Sequence, residues 1–186
     1  DVTGREEIVT DRIGGVRVLV YDERGNVLSE TDPEGKLTTR TYDDRNNRLT
    51  ETDPNNHTTT YTYDGDDLLT VKDAEDNLTE YTYNDFGQVL TVKDARGKMT
   101  TNVYDADSDP DLDTTTDAMG NITRYTHNDQ GNVLTRTVTV DGVDLVTTYT
   151  YDDFGNMLTE KDALNRITTY TYDLNGNRLT EERNRT

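Results

Sequence analysis

Five aspartates alternate along one short stretch, at Asp105, Asp107, Asp109, Asp111 and Asp113. Hard carboxylate oxygens at every second position are what a calcium loop presents, and the opening matches the first acidic positions of such a loop. The match then fails. Pro110 stands where the loop needs glycine, and Thr116 stands where a bidentate glutamate would close the cage. The stretch reads first as a solvated acidic loop, with a calcium site as the competing reading. His57 and His127 are the only imidazoles, and neither has a Ser, Cys or second His at a catalytic spacing. Carboxylates are numerous enough to supply the pair a glycosidase uses, but most aspartates recur at turn positions, where bonding the local backbone is the simpler role. Tyrosine rows beside Asn and Asp offer another chemistry, stacking sugar rings and bonding their hydroxyls. The same rings serve equally as cross-strand cement, and their recurrence without a local cluster of distinct polar groups favours the cement. Neither a catalytic residue nor a cofactor is expected.

The elements that position these groups are repeats. All 12 tyrosines belong to a phrase Tyr-Asp-x-x-Gly-Asn-x-Leu-Thr, followed by Asp-x-x-Gly-x-x-Thr-x-Tyr-Thr before the next anchor. The anchors are Tyr21, Tyr42, Tyr63, Tyr83, Tyr104, His127, Tyr151 and Tyr172, separated by 21, 21, 20, 21, 23, 24 and 21 residues. Gly25, Gly87, Gly131, Gly155 and Gly176 hold the glycine of the phrase. Such self-similarity marks an array of supersecondary units that bury their apolar faces only by stacking. The array runs through residues 1–186, with partial repeats at 1–20 and 172–186 and insertions at 105–113 and 136–146.

Composition alone would point to disorder: 38 acidic against 19 basic residues, a formal charge of −19, and 30% hydrophobic residues. The fixed register of the aromatics overrides it. With no Trp and two Phe, two packed sheets with a dry interior would be hard to fill. The acidic balance disfavours nucleic acid and anionic membranes, because no basic stripe neutralises phosphates. No disulfide or thiolate metal site is available, since the chain has no cysteine. No signal peptide or apolar run long enough to cross a bilayer is visible.

Each repeat carries two turn signals of one chemistry, as in Asp22-Glu-Arg-Gly25 and Asp32-Pro-Glu-Gly35. Between them lie strand sequences such as Thr79-Glu-Tyr-Thr-Tyr83 and Asn132-Val-Leu-Thr135. The expected fold is all-β: a continuous antiparallel meander with two strands per repeat, coiled into a spiral single-sheet wall. The pairs Tyr61/Tyr63, Tyr81/Tyr83, Tyr125/His127, Tyr149/Tyr151 and Tyr170/Tyr172 would run as a ladder of rings along one face. An odd repeat of 21 turns that face over in successive units unless one residue per repeat stays unpaired. A glycine bulge at one of the two turns would supply it, and Asp22 to Asn26 has the right form. Asp141-Gly142 signals a longer hairpin within the second insertion.

The phrase, as in Tyr151-Asp-Asp-Phe-Gly-Asn-Met-Leu-Thr159 and Tyr172-Asp-Leu-Asn-Gly-Asn-Arg-Leu-Thr180, resembles the YD or RHS repeat over essentially the whole chain. That family includes bacterial Rhs polymorphic toxins, the B and C components of Tc-type toxin complexes, and teneurins. The resemblance implies a β-strip spiralling into a hollow shell that, in the bacterial proteins, encloses a C-terminal toxin or effector. It implies a secreted or surface-displayed bacterial setting, and carbohydrate binding is also attributed to such repeats. Asp32-Pro33-Glu34-Gly35 resembles the DPxG motif of the family's self-cleaving core segment, but ordinary repeat sequence follows it, so it reads as a plain turn. The ends fit the phrase in mid-repeat, which suggests a piece of something longer with open strand edges that invite self-association. The expected role is structural: wall without chemistry, partnered by further repeats and an enclosed effector, with an extracellular glycan-binding repeat as the alternative.

Overall fold

The computed structural model describes residues 5–105 and 111–184. Every regular element in it is a β-strand. The chain forms two units, Asp1–Gly97 and Lys98–Thr186. The first contains β1 (Arg5–Thr10), β2 (Val16–Tyr21), β3 (Val27–Thr31), β4 (Leu37–Tyr42), β5 (Arg48–Thr52), β6 (Thr58–Asp64), β7 (Asp67–Lys72), β8 (Leu78–Tyr83) and β9 (Val89–Lys93). The second contains β10 (Met99–Tyr104), β11 (Leu112–Thr116), β12 (Ile122–His127), β13 (Val133–Val140), β14 (Val143–Tyr151), β15 (Met157–Lys161), β16 (Ile167–Tyr172) and β17 (Arg178–Arg183). Within each unit every strand pairs antiparallel with the next, so each repeat contributes two strands to a meander.

The parity problem of an odd repeat is solved in one place. Tyr21 faces Val27 and Val20 faces Ser29, which leaves Leu28 unpaired. The same shift leaves Leu49 unpaired behind Tyr42, Leu69 behind Tyr63, Leu134 behind His127, Leu158 behind Tyr151 and Leu179 behind Tyr172. With unbroken pairing, Ser29 would follow Val27 onto the tyrosine face and Tyr42 would emerge on the opposite one. The register break therefore lies in the hairpin of the Tyr-Asp turn, at the leucine of the phrase. The intervening hairpin, Thr31 facing Leu37 and Glu30 facing Thr38, keeps its register.

Both turns have the same internal geometry. The Asp22 amide donates to the Asn26 carbonyl at 2.9 Å and the Gly25 amide to the Asp22 carbonyl at 3.2 Å, and Asp32, Lys36 and Gly35 repeat the pattern. Gly25 sits at φ 91°, in the left-handed region this turn requires, where a Cβ is costly. Asn46, Asn56, Asp76 and Asn165 take the equivalent place with positive φ, as short polar side chains tolerate it best. The 20-residue spacing arises because Asp64 faces Asp67 across a two-residue turn led by Gly65. Asp141-Gly142 closes β13 onto β14 as another two-residue turn, both residues at positive φ.

Among the described residues no apolar side chain is buried, and only Thr168, 6% exposed, is enclosed. A single layer of sheet has nothing packed against its faces, so cohesion must come from cross-strand pairs and hydrogen bonds. One face carries Tyr21, Tyr42, Tyr61, Tyr63, Tyr81 and Tyr83 in the first unit. The other carries threonine pairs bonded hydroxyl to hydroxyl across the strands, Thr41 with Thr50 at 2.7 Å, Thr62 with Thr70 at 2.6 Å and Thr82 with Thr91 at 2.7 Å. The second unit repeats this at Thr126 with Thr135, Thr150 with Thr159 and Thr171 with Thr180.

Candidate functional site

No stacking is seen among the anchors Tyr21, Tyr42, Tyr63, Tyr83, Tyr151 and Tyr172. Equivalent rings of successive repeats stand two strands apart, about 9.5 Å, beyond the 4.5–7 Å range of ring contact. The expected ladder of rings is accordingly replaced by another device. The Tyr42 hydroxyl donates to the Val27 carbonyl at 3.2 Å, Tyr63 to Arg48 at 3.1 Å, Tyr83 to Leu68 at 2.8 Å, Tyr151 to Val133 at 2.9 Å and Tyr172 to Met157 at 2.9 Å. Each acceptor is the residue paired with the preceding anchor, just before the bulge. The ladder between β3 and β4 stops at Ser29 and Thr39, so Val27 lies past its end and the phenol takes the carbonyl that a longer ladder would have used. Burial pushes the phenols of Tyr63, Tyr83 and Tyr151 above the ordinary tyrosine range. Tyr21 has a side-chain acceptor, Glu7 at 2.8 Å, and that bond raises its phenol too.

His127 is the exception. Its ring lies 6.4 Å from that of Tyr125, and its Nδ1 stands 3.9 Å from Oδ2 of Asp111, a buried oxygen without a hydrogen-bond partner. His57 sits at a turn instead, 3.2 Å from Asp53 and exposed. Of the alternating aspartates, Asp107 and Asp109 lie outside the described residues. The Asp105 amide donates to the Asp111 carbonyl at 3.1 Å, and Asp113 occupies the bulge position between Leu112 and Thr114, where it accepts from the Thr114 hydroxyl at 3.2 Å. Among the described residues no three acidic or imidazole groups converge as metal ligands.

The turn aspartates are spent on their own backbone. Asp22 Oδ1 accepts the amides of Arg24 and Asn26, and its Oδ2 accepts the Asn26 side-chain amide at 2.8 Å. Asp152 with Asn156 and Asp173 with Asn177 repeat the arrangement. These bonds, the Asn side chain first, hold Asp22, Asp152 and Asp173 below the ordinary carboxylate range. In the first unit the same asparagine also links turns, Asn26 Nδ2 donating to Asn46 Oδ1 and Asn47 Nδ2 to the Gly65 carbonyl, both at 2.8 Å. Asp32 caps its turn through Glu34 and Lys36 amides in the ordinary way, which is what a plain turn requires.

Arg40 stands where other repeats carry the first Tyr of the pair, within a run of ion pairs. Arg17 reaches Glu30, Arg40 lies between Glu30 and Glu51, and Arg48 bonds Glu51 at 2.6 Å while its guanidinium lies 4.6 Å over the Tyr61 ring. Three concavities are clefts between consecutive Tyr-Asp turns. One is lined by Leu49, Tyr61, Tyr63 and Arg45, another by Leu134, Tyr149 and Tyr151, and a third by Leu158, Tyr170 and Tyr172.

A bulge after the anchor, a capped turn and, in five repeats, a clasping tyrosine define a tandem-repeat β wall. The RHS Repeat family matches residues 21–56, 42–78, 65–99 and 151–186, more than half of the sequence, and the chain belongs to that family. No curated protein matches it. Among solved structures, the crystal structure of TcdB2-TccC3 superposes with a TM-score of 0.61 at 17% identity, covering 98% of this chain and 13% of that one. TcdB2-TccC3 without its hypervariable C-terminal region gives 0.60 at 17% identity and the same coverage. The Photorhabdus luminescens Tc holotoxin pore gives 0.51 at 19%, covering 90% of this chain and 11% of that one. These likenesses show the fold, and the chain spans about an eighth of the length of the TcdB2-TccC3 chains it matches. Among the described residues no helix is long and apolar enough to cross a membrane.

Proposed function

We propose that this chain is a stretch of wall in a longer RHS shell that encloses a C-terminal toxin or effector of a secreted or surface-displayed bacterial protein. It contributes no catalysis. The observation that carries this reading is the tyrosine clasp: in five repeats the anchor grips the backbone of the repeat before it, in register. Among the described residues, the aspartates and histidines that the sequence offered as chemistry form no cluster of three. The alternative, a glycan-binding repeat, rests on ring faces that stack sugars; the wall reading is favoured because five anchor phenols are already engaged with backbone carbonyls. Every residue of β1 and of β17 is exposed, which supports pairing of these strands with further repeats or another copy.

The test is protease protection of the longer protein that carries the chain. A domain lying after the array should resist digestion while the array is intact and become sensitive when Tyr63→Phe and Tyr83→Phe loosen it. Digestion of that domain at the same rate with and without the array would overturn the reading.

A further inference from the structure

The clefts between consecutive Tyr-Asp turns share one construction: the bulged leucine, the tyrosine pair, and the two flanking turns as rims. Two lie side by side in the second unit, about 450 Å³ at Leu134, Tyr149 and Tyr151 and about 630 Å³ at Leu158, Tyr170 and Tyr172, with Asp152 common to both. Their size is that of ligand sites. Phe154 from the shared turn and Leu174 from the next line the larger cleft, yet are 91% and 106% exposed. A turn of this geometry needs only Asp and a positive-φ residue, so these large apolar side chains are not required by the fold.

Charge narrows the partner. Asp129, Asp152, Asp153 and Asp173 stand around the two clefts; neither lining contains Lys or Arg, and the Arg178 guanidinium, 5.6 Å over the Tyr170 ring, offsets one of these charges. The counterpart in the first unit includes Arg45. In a chain of formal charge −19, an acidic aromatic groove is complementary to a basic partner.

Spacing narrows it further. Equivalent points of neighbouring clefts are two strands apart, about 9.5 Å at 4.7–4.9 Å per strand. A polyproline II helix has three residues per turn and rises about 3.1 Å per residue, so every third side chain returns to one face after about 9.3 Å. A β-strand returns after two residues, about 6.7 Å, and misses the second cleft.

We propose that the Tyr-Asp edge of the second unit docks a basic peptide in the polyproline II conformation, an apolar side chain entering each cleft at every third position and Lys or Arg lying on the aspartate rim. Aromatic-lined grooves are a general receptor for this preformed, low-entropy conformation. The inference stands apart from the shell reading, because it concerns one edge of one unit and any partner with this chemistry.

Fluorescence anisotropy with the 186-residue chain tests it. The probe is a labelled synthetic peptide of repeating Leu-Pro-Arg; the comparisons are a scrambled peptide of the same composition and a repeating Leu-Pro-Glu peptide. The Leu-Pro-Arg peptide should bind, the scramble should bind about tenfold more weakly, and the acidic peptide should not bind. Phe154→Ser with Leu174→Ser should weaken binding about tenfold with unchanged circular dichroism, since both side chains are solvent-exposed tips. Asp129→Asn with Asp153→Asn, which leaves the turn-capping Asp152 in place, should weaken binding and flatten its salt dependence. Equal affinity for the scramble, indifference to the double Ser variant, or no binding at millimolar peptide would overturn the proposal. So would a neutral oligosaccharide that binds in a Phe154-dependent manner where the peptide does not.

Discussion

The Tyr63 hydroxyl stands 3.1 Å from the Arg48 carbonyl, fifteen residues back and one hairpin away. The carbonyl belongs to the residue facing Tyr42, so the bond ties one anchor to the pairing partner of the one before it. Tyr63→Phe removes the donor and leaves the ring. The expected cost is about 1 kcal/mol, read as a lower urea midpoint with unchanged slope. Tyr63→Phe and Tyr83→Phe should add, since their acceptors, Arg48 and Leu68, are distinct.

Deleting Leu49 should do far more damage than truncating it. Leu49→Ala keeps the bulge, and at 37% exposure it should cost about 1 kcal/mol. Deletion removes the unpaired residue, so the following strands must present the wrong face or break the turn. Loss of the β-sheet circular dichroism signal in the deletion, but not in the Ala variant, is the expected outcome.

The fold was legible in the sequence to the extent that it is written in turn chemistry. Tyr-Asp spacing, Gly25 and its equivalents, and Thr-Tyr alternation give antiparallel strands without ambiguity. The location of the unpaired residue was not legible, because Leu28 looks like any strand leucine and only the register shows that it faces nothing. Likewise, nothing in twelve recurring tyrosines distinguishes a ring that stacks from a hydroxyl that reaches a carbonyl. The two-strand spacing of about 9.5 Å between equivalent positions, set against the reach of a phenol to the adjacent strand, favours the hydroxyl. The role of one alternating aspartate was hidden for a related reason: Asp113 is the bulge residue of its repeat, a slot that leucine fills elsewhere.

Stability should fall at both ends of the pH scale. Asp22, Asp73, Asp117, Asp152 and Asp173 are held below the ordinary value of 3.8, first by the neighbouring asparagine side chain. A depressed carboxyl contributes stability that is complete above that value and is lost as pH falls beneath it. Tyr63, Tyr83, Tyr149 and Tyr151 are raised above 10.0 by burial, and that contribution is complete below 10.0 and lost as pH rises through the raised values. Acid also relieves self-repulsion of the anionic chain, so thermal melts across pH belong in about 1 M salt, where a Debye length near 3 Å isolates the turn effect. A melting temperature that rises steadily from pH 4 to pH 2 in high salt would contradict the assignment.

His127→Tyr should stabilise the chain. Leu112 faces Tyr104 as Val27 faces Tyr21, so its carbonyl is the acceptor that a tyrosine at position 127 would reach by the rule of the other repeats. The expected gain is about 1 kcal/mol, seen as a higher melting temperature, and Tyr151→His should lose a similar amount.

Because each unit resets its own sidedness with one spare residue, a leucine in all but the Tyr104 repeat, the instructions for construction are carried locally. A whole copy can be inserted or excised without rewriting its neighbours, whereas an odd gain or loss inside a strand is tolerated only if a turn absorbs it, as the shortened corner at Gly65 does. Length is thus a freely adjustable property of such a wall, and orientation of its faces is not.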